Sequence, residues 1–594
     1  MSESSPPVPV FPGREAHGLP ASSTVRLPEW LGRRAVDMPA RPALIAGTQV
    51  WTYAELDQAA ARLARQLAVR GIGVGDRVAV LLRNGPHFAC AVHALIRLGA
   101  ILVPLNLRLS EPELAWQVAH AGVRLLIHDQ HTEAAAIGIA GQTAGLALMG
   151  LTLAADAIYG EAGAWQEPER RGSATAAHDM ARQEAIESRS QLRTHIDLAD
   201  IHCMMYTSGT TGRPKGVLLS YGNHWWGAIG SALTMGLHDD DRWLACLPLF
   251  HIGGLSILLR CAIYGIPVVF PDQPAASFDP EAVNRTLVEA RATIVSVVSA
   301  QLQRMLDAGL SGSAGAAASL RCVLLGGGPA PRPLLEECAR RAIPVAQTYG
   351  LTEACSQVAT LAPEDALRKL GSAGRPLLPT ELRIDTAEQL HAVTREEDRA
   401  EEHAHGEQGH EGGANERART SSADPAGAGT GTDFPVGEIL VRGPTVTPGY
   451  LMPDGDGATP RRATDAEGWL HTGDIGYLDH EGYLYVLDRR TDLIISGGEN
   501  VYPAEVEAAL LAHPAVAEAG VYGMPDPVWG QTVAAAVVMR PGMRASEAEL
   551  IAFCRERLAK YKVPAHVERR ETLPRNASGK LLRRQLVHSA HTSS

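Results

Sequence analysis

The stretch Tyr206-Thr-Ser-Gly-Thr-Thr-Gly-Arg-Pro-Lys-Gly216 combines hydroxyl side chains, three glycines and one lysine. Glycine lets backbone N–H groups approach an anion closely, and hydroxyl and ammonium groups add further donors, so the stretch suits a polyphosphate. It departs from the Walker A pattern because Pro214 and Gly216 flank Lys215 and no Ser or Thr follows the lysine. By itself it also fits a surface linker rich in Ser, Thr and Gly, so the other motifs must decide between the two interpretations.

Composition narrows the class of protein. The chain has 594 residues, of which 45% are apolar, and a net charge of −12, which predicts more than one domain and no nucleic-acid partner. Its eight cysteines occur singly, without a C-x-x-C pair, and are typical of buried side chains in a reducing compartment. No apolar run reaches the length of a membrane span and the first 27 residues lack a signal-peptide core, so we expect a cytoplasmic protein without stable membrane insertion.

The first part of the chain predicts an α/β fold. Thr52 and Glu55 form a capping box for a helix, and two buried strands, Arg77–Leu82 and Ile101–Leu105, enclose a helical segment. Strands that alternate with helices indicate parallel βαβ units. Further strand candidates are Val268–Phe270, Ile294–Val298 and Val323–Leu325.

The later part divides into an insertion and a second domain. Residues 386–434 have almost no large apolar side chains, which predicts a low-complexity insertion between two strands of a hairpin. After Arg490 the pattern changes to a small α+β domain, with a helix that begins at Pro503 and another capped by Ser546 and Glu549. The predicted organisation is a tail over 1–27, a large domain over 28–489, a small domain over 490–585 and a tail over 586–594.

Three motifs of the large domain suggest a ligand site. His251 lies in Leu249-Phe-His-Ile-Gly-Gly254, where a buried core histidine is the alternative interpretation. Leu325-Gly-Gly-Gly-Pro-Ala330 follows a strand, and open α/β sheets bind ligands at the carboxyl ends of their strands. Gln347-Thr-Tyr-Gly-Leu-Thr-Glu353 offers an aromatic face, hydroxyls and a carboxylate that suits Mg²⁺.

Two motifs lie further along the chain. Thr472-Gly-Asp474 and Asp488-Arg489 supply a carboxylate and a guanidinium that suit ribose hydroxyls. Asn576-Ala-Ser-Gly-Lys580 places a lysine in a turn near the C-terminus, where an ordinary surface lysine is the alternative.

Taken together, these motifs resemble the adenylate-forming superfamily of acyl-CoA synthetases, luciferases and peptide-synthetase adenylation domains. The resemblance covers roughly residues 28–585 apart from the insertions, with the motifs in the expected order. It implies a large N-terminal domain of layered sheets and helices and a small, mobile α+β C-terminal domain that rotates between two half-reactions. Small-molecule partners would be ATP, Mg²⁺, coenzyme A and a carboxylic acid, and a homo-oligomer is compatible with the sequence.

Three stretches resemble one branch of that superfamily, which ligates o-succinylbenzoate to coenzyme A in menaquinone biosynthesis. They are Tyr221-Gly-Asn-His-Trp-Trp226, Cys246–Ser256 and Asp488–Asn500. A medium-chain or aryl acyl-CoA ligase is the alternative enzyme, and a non-catalytic nucleotide-binding protein is an alternative of another class. A carrier-protein adenylation module is disfavoured because no carrier attachment site follows Lys580.

The resemblance also implies a role for individual residues. Lys580 would act at the α-phosphate and the attacking carboxylate, and Glu353 would hold Mg²⁺. His251, also counted as catalytic, and Arg260 would face the acyl substrate, with a structural salt bridge as the alternative role of Arg260. A turn at Ser496, Gly497 and Gly498 would admit coenzyme A, and Thr491 would be the hinge, where many relatives have Asp or Lys. Nucleotide binding, with Thr207 also counted as catalytic, would involve Thr207, Ser208, Gly209, Thr210, Thr211, Gly212, Lys215, Gly327, Gly328, Pro329, Gln347, Thr348, Tyr349, Gly350, Thr352, Asp474 and Arg489.

Overall fold

The computed structural model describes most of the chain. Outside the described residues lie 1–24, 152–191, 208–213, 272–277, 313–316, 328–329, 331, 387–433, 453–459, 490–493, 498, 502, 575–585 and 587–594.

An eight-stranded sheet carries the start of the polyphosphate stretch. Arg77–Leu81 and Ile101–Pro104 pair in parallel and enclose helix Pro86–Leu98, which confirms the predicted βαβ unit. All five residues of Arg77–Leu81 are buried, as expected for a parallel strand covered on both faces. The strand order is Arg461–Arg462, Gly449–Leu451, Lys215–Ser220, Ile201–Thr207, Ile101–Pro104, Arg77–Leu81, Leu125–His128 and Ala147–Gly150.

A nine-stranded sheet forms the second layer. The predicted strands at Val268–Phe270 and Ile294–Val298 are present with those bounds, and the third extends over Cys322–Gly326. These strands run parallel, so their carboxyl ends meet at one edge, where the predicted ligand motifs begin. The strand order is Arg375–Pro376, Ser356–Thr360, Val345–Leu351, Cys322–Gly326, Ile294–Val298, Trp243–Leu244, Val268–Phe270, Pro42–Ala46 and Gln49–Thr52.

The helices cover these sheets with apolar faces. Thr52 and Glu55 form the predicted capping box of helix Tyr53–Val69, which buries Leu56 and Leu63. The other helices of the large domain are Trp30–Asp37, Pro86–Leu98, Glu111–His120, Glu133–Gln142, Tyr221–Met235, Ile252–Tyr264, Pro280–Glu289, Ser299–Asp307 and Arg332–Arg340, with 3₁₀ turns at Thr352–Ala354 and Pro363–Asp365. A short pair, Arg26–Pro28 with His195–Asp197, lies beside them.

A third, antiparallel sheet holds the predicted hairpin. Glu381–Thr386 pairs with Gly437–Arg442 up to the contact of Thr386 with Gly437. The two strands that flank the low-complexity insertion therefore pair directly, as predicted. Leu470–Leu478 and Leu484–Arg489 complete this sheet.

Residues 494–574 form a compact C-terminal unit with its own apolar core. Helices Pro503–Leu511 and Glu547–Arg555 begin at the predicted positions, and Ser546 caps the second. The strands are Ile494–Ser496, Glu499–Val501, Val516–Asp526, Gly530–Met539 and His566–Arg569, with a 3₁₀ turn at Lys560–Lys562. All eight cysteines of the chain are free and seven are buried, in agreement with the sequence prediction. No helix in the described part of the chain combines the length and apolar character needed to cross a membrane.

Candidate active site

A cavity of about 340 Å³ opens between the large domain and the C-terminal unit. One wall is the edge of the nine-stranded sheet, at Val298 and Gly327, and another is the end of strand Ile201–Thr207. Gly497 and Lys562 close it from the C-terminal unit. Its position at the carboxyl ends of parallel strands is where α/β folds commonly bind ligands.

Many of the predicted site residues meet at this cavity. It is lined by Thr207, His251, Arg260, Gly327, Thr348, Gly350, Thr352, Glu353 and Gly497. Other predicted residues lie outside the described part of the chain: Ser208, Gly209, Thr210, Thr211, Gly212, Gly328, Pro329, Thr491, Gly498 and Lys580. Arg489 is described by its backbone, which ends strand Leu484–Arg489, and Ser496 directly precedes Gly497.

Lys215 and Glu353 form an ion pair beside the cavity. The Nζ of Lys215 lies 2.8 Å from Oε1 of Glu353 and 3.8 Å from the centre of the Tyr450 ring. The pair keeps a cation and a carboxylate within reach of one anionic ligand. A carboxylate that opens to a cavity beside phosphate donors is a suitable Mg²⁺ ligand, so this donor set fits the metal expected from the sequence.

Two buried polar atoms near the cavity are unpaired within the described structure. They are Oγ1 of Thr207 and Nε2 of Gln347. A buried donor without a partner costs free energy, and a bound polar ligand would remove that cost. Thr207 begins the predicted phosphate-binding stretch, and phosphate binding by its hydroxyl stays a prediction.

Tyr349 and Asp474 join the nucleotide motifs of two different sheets. The hydroxyl of Tyr349 donates a 2.5 Å hydrogen bond to Oδ2 of Asp474, and both side chains are buried. Asp474 stands opposite Arg489 in the pairing of Leu470–Leu478 with Leu484–Arg489. The structure thus brings the motif of Tyr349 together with two motifs that lie more than a hundred residues later in the sequence.

Arg260 places a buried cation at the cavity. Its side chain is 3% exposed, and its Nη1 donates a 2.5 Å hydrogen bond to Oε1 of Gln357. Within the described structure it has no ion-pair partner, and burial lowers the pKa of its guanidinium. Ser256 lies one helical turn before Arg260 and also lines the cavity, as does Ser356.

Sequence reasoning did not identify Gln357, Ser256 or Ser356. The i, i+4 spacing of Ser256 and Arg260 on one helix face could have linked those two residues. Gln357 and Ser356 follow Glu353 closely but carry no motif of their own.

Charged contacts hold the C-terminal unit against the large domain. Glu499 forms an ion pair with Arg108 and a hydrogen bond with His251, whose Nε2 lies 3.3 Å from Oε2 of the glutamate. Burial alone would raise the pKa of Glu499, but His251, Arg108 and Lys562 together hold it below its ordinary value. Glu113 lies 3.1 Å from Nζ of Lys562. No local sequence pattern indicates these pairs, because each joins residues hundreds of positions apart.

Gly497 faces the cavity in a conformation that favours glycine. Its φ is +58°, and a Cβ at this position would lie 2.7 Å from the ring of Trp529. Another residue would be strained and would clash with the indole. The turn therefore stays thin at the place where the C-terminal unit meets the cavity.

The chain matches the family model of the AMP-binding enzymes over residues 31–412 and that of the AMP-binding enzyme C-terminal domain over residues 505–580. It is 46% identical to the 2-succinylbenzoate–CoA ligase of Geobacillus kaustophilus over 94% of this chain and 97% of that protein. The enzyme of the same name from Bacillus cereus strain Q1 is 42% identical over 94% of this chain and 98% of that protein.

Two solved structures of o-succinylbenzoate CoA synthetase from Bacillus subtilis differ in their similarity to the chain. A double mutant bound to the product analogue OSB-NCoA gives a TM-score of 0.74 at 38% identity, covering 95% of this chain and 98% of that one. The complex with the acyl-adenylate intermediate OSB-AMP gives 0.61 at 39% identity with the same coverage.

Proposed function

The chain belongs to the AMP-binding enzyme family, and we propose that it is an ATP-dependent ligase that joins o-succinylbenzoate to coenzyme A. The reaction passes through an acyl-adenylate and yields o-succinylbenzoyl-CoA, AMP and pyrophosphate, a step of menaquinone biosynthesis. The observation that carries the choice of substrate is Arg260, a buried cation that lines the cavity without an ion-pair partner in the described structure.

The nucleotide occupies the side of the cavity formed by the large domain. Lys215 and the stretch that begins at Thr207 hold the β- and γ-phosphates, and Glu353 holds Mg²⁺ when the metal is bound. Gly327 and Tyr349 flank the adenine, and Asp474 with Arg489 binds the ribose. The orphan hydroxyl of Thr207 and the accessible Lys215–Glu353 pair support this placement.

The acyl substrate occupies the part of the cavity near Arg260. o-Succinylbenzoate has two carboxylates, of which one must react with ATP and the other must be buried with the aromatic ring. A buried carboxylate needs a cation and hydrogen-bond donors, and Arg260 with Ser256 and Gln357 supplies both. An ordinary structural salt bridge was the alternative role of Arg260, and the described residues provide no carboxylate for it.

The C-terminal unit acts in both half-reactions. In the arrangement of this structure it presents Gly497, so coenzyme A enters between Gly497 and the large domain. The higher TM-score against the product-analogue complex supports the assignment of this arrangement to thioester formation. Rotation about Thr491 would bring Lys580 to the α-phosphate for adenylation.

A medium-chain acyl-CoA ligase would keep every nucleotide motif and change only the acyl pocket. An alkyl chain would leave Arg260 buried without an anionic partner, which is energetically unfavourable, so we favour the aromatic diacid. We place the reaction in the cytoplasm because its co-substrates ATP and coenzyme A are available there. Formation of a homo-oligomer stays a prediction from the sequence.

The test is pyrophosphate release from ATP across a panel of acids, followed by thioester formation on addition of coenzyme A. We expect strong release with o-succinylbenzoate. The matched control is 4-oxo-4-phenylbutanoate, which keeps the succinyl carboxylate but lacks the ring carboxylate, and we expect only weak release. Equal turnover of both acids, or preference for a medium-chain acid, would refute the assigned substrate.

A further inference from the structure

His120 connects two chain segments that border the phosphate-binding stretch. It is the last residue of helix Glu111–His120, and both of its ring nitrogens have partners. Nδ1 lies 2.7 Å from the hydroxyl of Tyr206, and Nε2 lies 2.9 Å from the carbonyl oxygen of Met452. The two partners are distant in sequence: Tyr206 lies within strand Ile201–Thr207, and Met452 directly follows strand Gly449–Leu451.

The contact with Tyr206 fixes the entry to the stretch. Tyr206 is the penultimate residue of strand Ile201–Thr207, and its hydroxyl also lies 3.1 Å from the carbonyl oxygen of Gln117. Trp116 stacks on His120 with ring centres 4.8 Å apart and meets the Tyr206 ring edge-on at 6.0 Å. The imidazole therefore has one well-defined orientation.

The contact with Met452 acts on the other end of the stretch. Met452 follows strand Gly449–Leu451, which pairs with Lys215–Ser220 so that Leu451 stands opposite Gly216. In the same strand, Tyr450 places its ring 3.8 Å from Nζ of Lys215. The strand anchored by His120 thus carries the aromatic ring on which Lys215 rests.

The hydrogen-bond partners define the protonation of the imidazole. A carbonyl oxygen only accepts, so Nε2 carries the proton and donates it to Met452. In a neutral ring Nδ1 is then an acceptor, and the single proton of the Tyr206 hydroxyl is donated to Nδ1 at 2.7 Å rather than to the more distant carbonyl of Gln117. Burial lowers the pKa of His120, which favours this neutral form.

We propose that His120 is a positioning residue for the polyphosphate of ATP, because it fixes Tyr206 before the phosphate-binding stretch and, through Met452, the strand that supports Lys215. The proposal rests on the nucleotide-binding role given above to this stretch. His120 itself does not line the cavity within the described structure. It acts through Tyr206 and Lys215, so its effect should be confined to ligands that carry β- and γ-phosphates.

The test compares the dissociation constants of Mg²⁺-ATP and of AMP, measured by calorimetry without acid or coenzyme A. For His120→Ala we expect about tenfold weaker binding of ATP, the effect of two lost hydrogen bonds, and AMP binding within about twofold of the unmodified protein. His128→Ala is the matched control, since His128 is a buried histidine at the end of a strand in the sheet that contains Tyr206, and its Nδ1 contacts Asp129. It should change neither constant.

Tyr206→Phe provides a second and milder variant in case His120→Ala folds poorly. It removes one hydroxyl and should weaken ATP binding about threefold, again without an effect on AMP. Combined with His120→Ala, it should add less than its separate effect because both changes break the same contact. Equal losses for ATP and AMP, or no loss for ATP, would overturn the positioning role.

These binding measurements do not depend on the identity of the acid. A protein that binds ATP but releases no pyrophosphate with o-succinylbenzoate would refute the proposed substrate and leave the test of His120 intact. Conversely, normal ATP binding by both variants would refute the role of His120 while the ligase function stands.

Discussion

Two lysines, Lys215 and Lys562, pair with glutamates at opposite sides of the cavity, but their settings differ. Lys215 is 26% exposed and has Glu353 at 2.8 Å, within the large domain. Lys562 is 6% exposed and lies 2.6 Å from Glu505 of its own C-terminal unit as well as 3.1 Å from Glu113 of the large domain. The Lys215–Glu353 pair, which we call the open pair, is partly exposed and accessible to a ligand. The Lys562–Glu505 pair, which we call the closed pair, is buried and is not.

The difference bears on how the C-terminal unit can move. If the unit rotates away, Lys562 keeps Glu505 and does not become an unpaired buried charge. By contrast, the ion pair of Glu499 with Arg108 and its contact with His251 both cross to the large domain. We infer that the Lys562–Glu505 pair stabilises the unit itself, whereas Glu499 stabilises the arrangement seen in this structure.

The largest effect is expected for a third lysine, Lys580, whose predicted role differs from those of Lys215 and Lys562. Lys580→Ala should lower the rate of acyl-adenylate formation by about 10²- to 10³-fold, because it removes a charge that stabilises the transition state and that Lys215 cannot replace. Thioester formation from supplied acyl-adenylate should be largely unchanged. Single-turnover assays of each half-reaction measure this, with the exposed Lys560→Ala as control. Equal loss of both half-reactions would contradict the role.

Glu505→Ala tests the role of the closed lysine pair in stability. It leaves Lys562 buried without the partner from its own unit, and we expect a loss of about 3 kcal/mol in the free energy of unfolding. Glu113→Gln should cost less than about 1 kcal/mol, because glutamine can still complete the capping box at Ser110 and Lys562 keeps Glu505. Denaturant unfolding measures both. Equal losses of unfolding free energy would show that Glu113 of the large domain and Glu505 of the C-terminal unit contribute equally to the stabilisation of Lys562.

Arg260→Ala extends the comparison to a cation that is buried like Lys562 but has no carboxylate partner in the described structure. Losing a charge-assisted hydrogen bond to the substrate should raise the KM for o-succinylbenzoate about 10- to 100-fold. The KM for ATP should stay unchanged, and Arg260→Lys should recover part of the loss. Steady-state kinetics with each substrate varied in turn gives the answer. An unchanged KM for o-succinylbenzoate would contradict the proposed role of Arg260 in binding the acid.

Much of the framework could be predicted from the sequence because local patterns determine it. The capping box at Thr52, the buried strand at Arg77 and the helix at Pro503 depend on residues within a few positions of each other. The Tyr349–Asp474 hydrogen bond and the Glu499 ion pairs could not be predicted, because they depend on how separate sheets and domains pack. Motif order predicted which residues share a site, but not which atoms touch.

Glu499→Gln should have a moderate effect confined to one half-reaction. Losing the charged contacts with Arg108 and His251 should slow thioester formation about tenfold and leave adenylation unchanged. Because the pKa of Glu499 is lowered in the folded protein, its contribution is fully present above the ordinary value of a glutamate. It is lost only as pH falls through the lower folded value, so the unmodified protein should show no such loss near neutral pH. Glu556→Gln, at an exposed position, is the control.

The smallest effect is expected from replacing the low-complexity insertion. Replacing residues 387–433 by Gly-Ser-Gly keeps Phe434, whose ring stacks on Tyr477 at 5.4 Å, and leaves a short loop between Thr386 and Gly437. A shorter loop is entropically easier to close, so the free energy of unfolding should change by less than about 1 kcal/mol and both half-reactions should proceed within about twofold of the unmodified rates. Loss of ligase activity in a folded deletion variant would show that the insertion controls the reaction. In that case, the Lys215–Glu353 and Lys562–Glu505 pairs would not be enough to explain how the C-terminal unit is positioned.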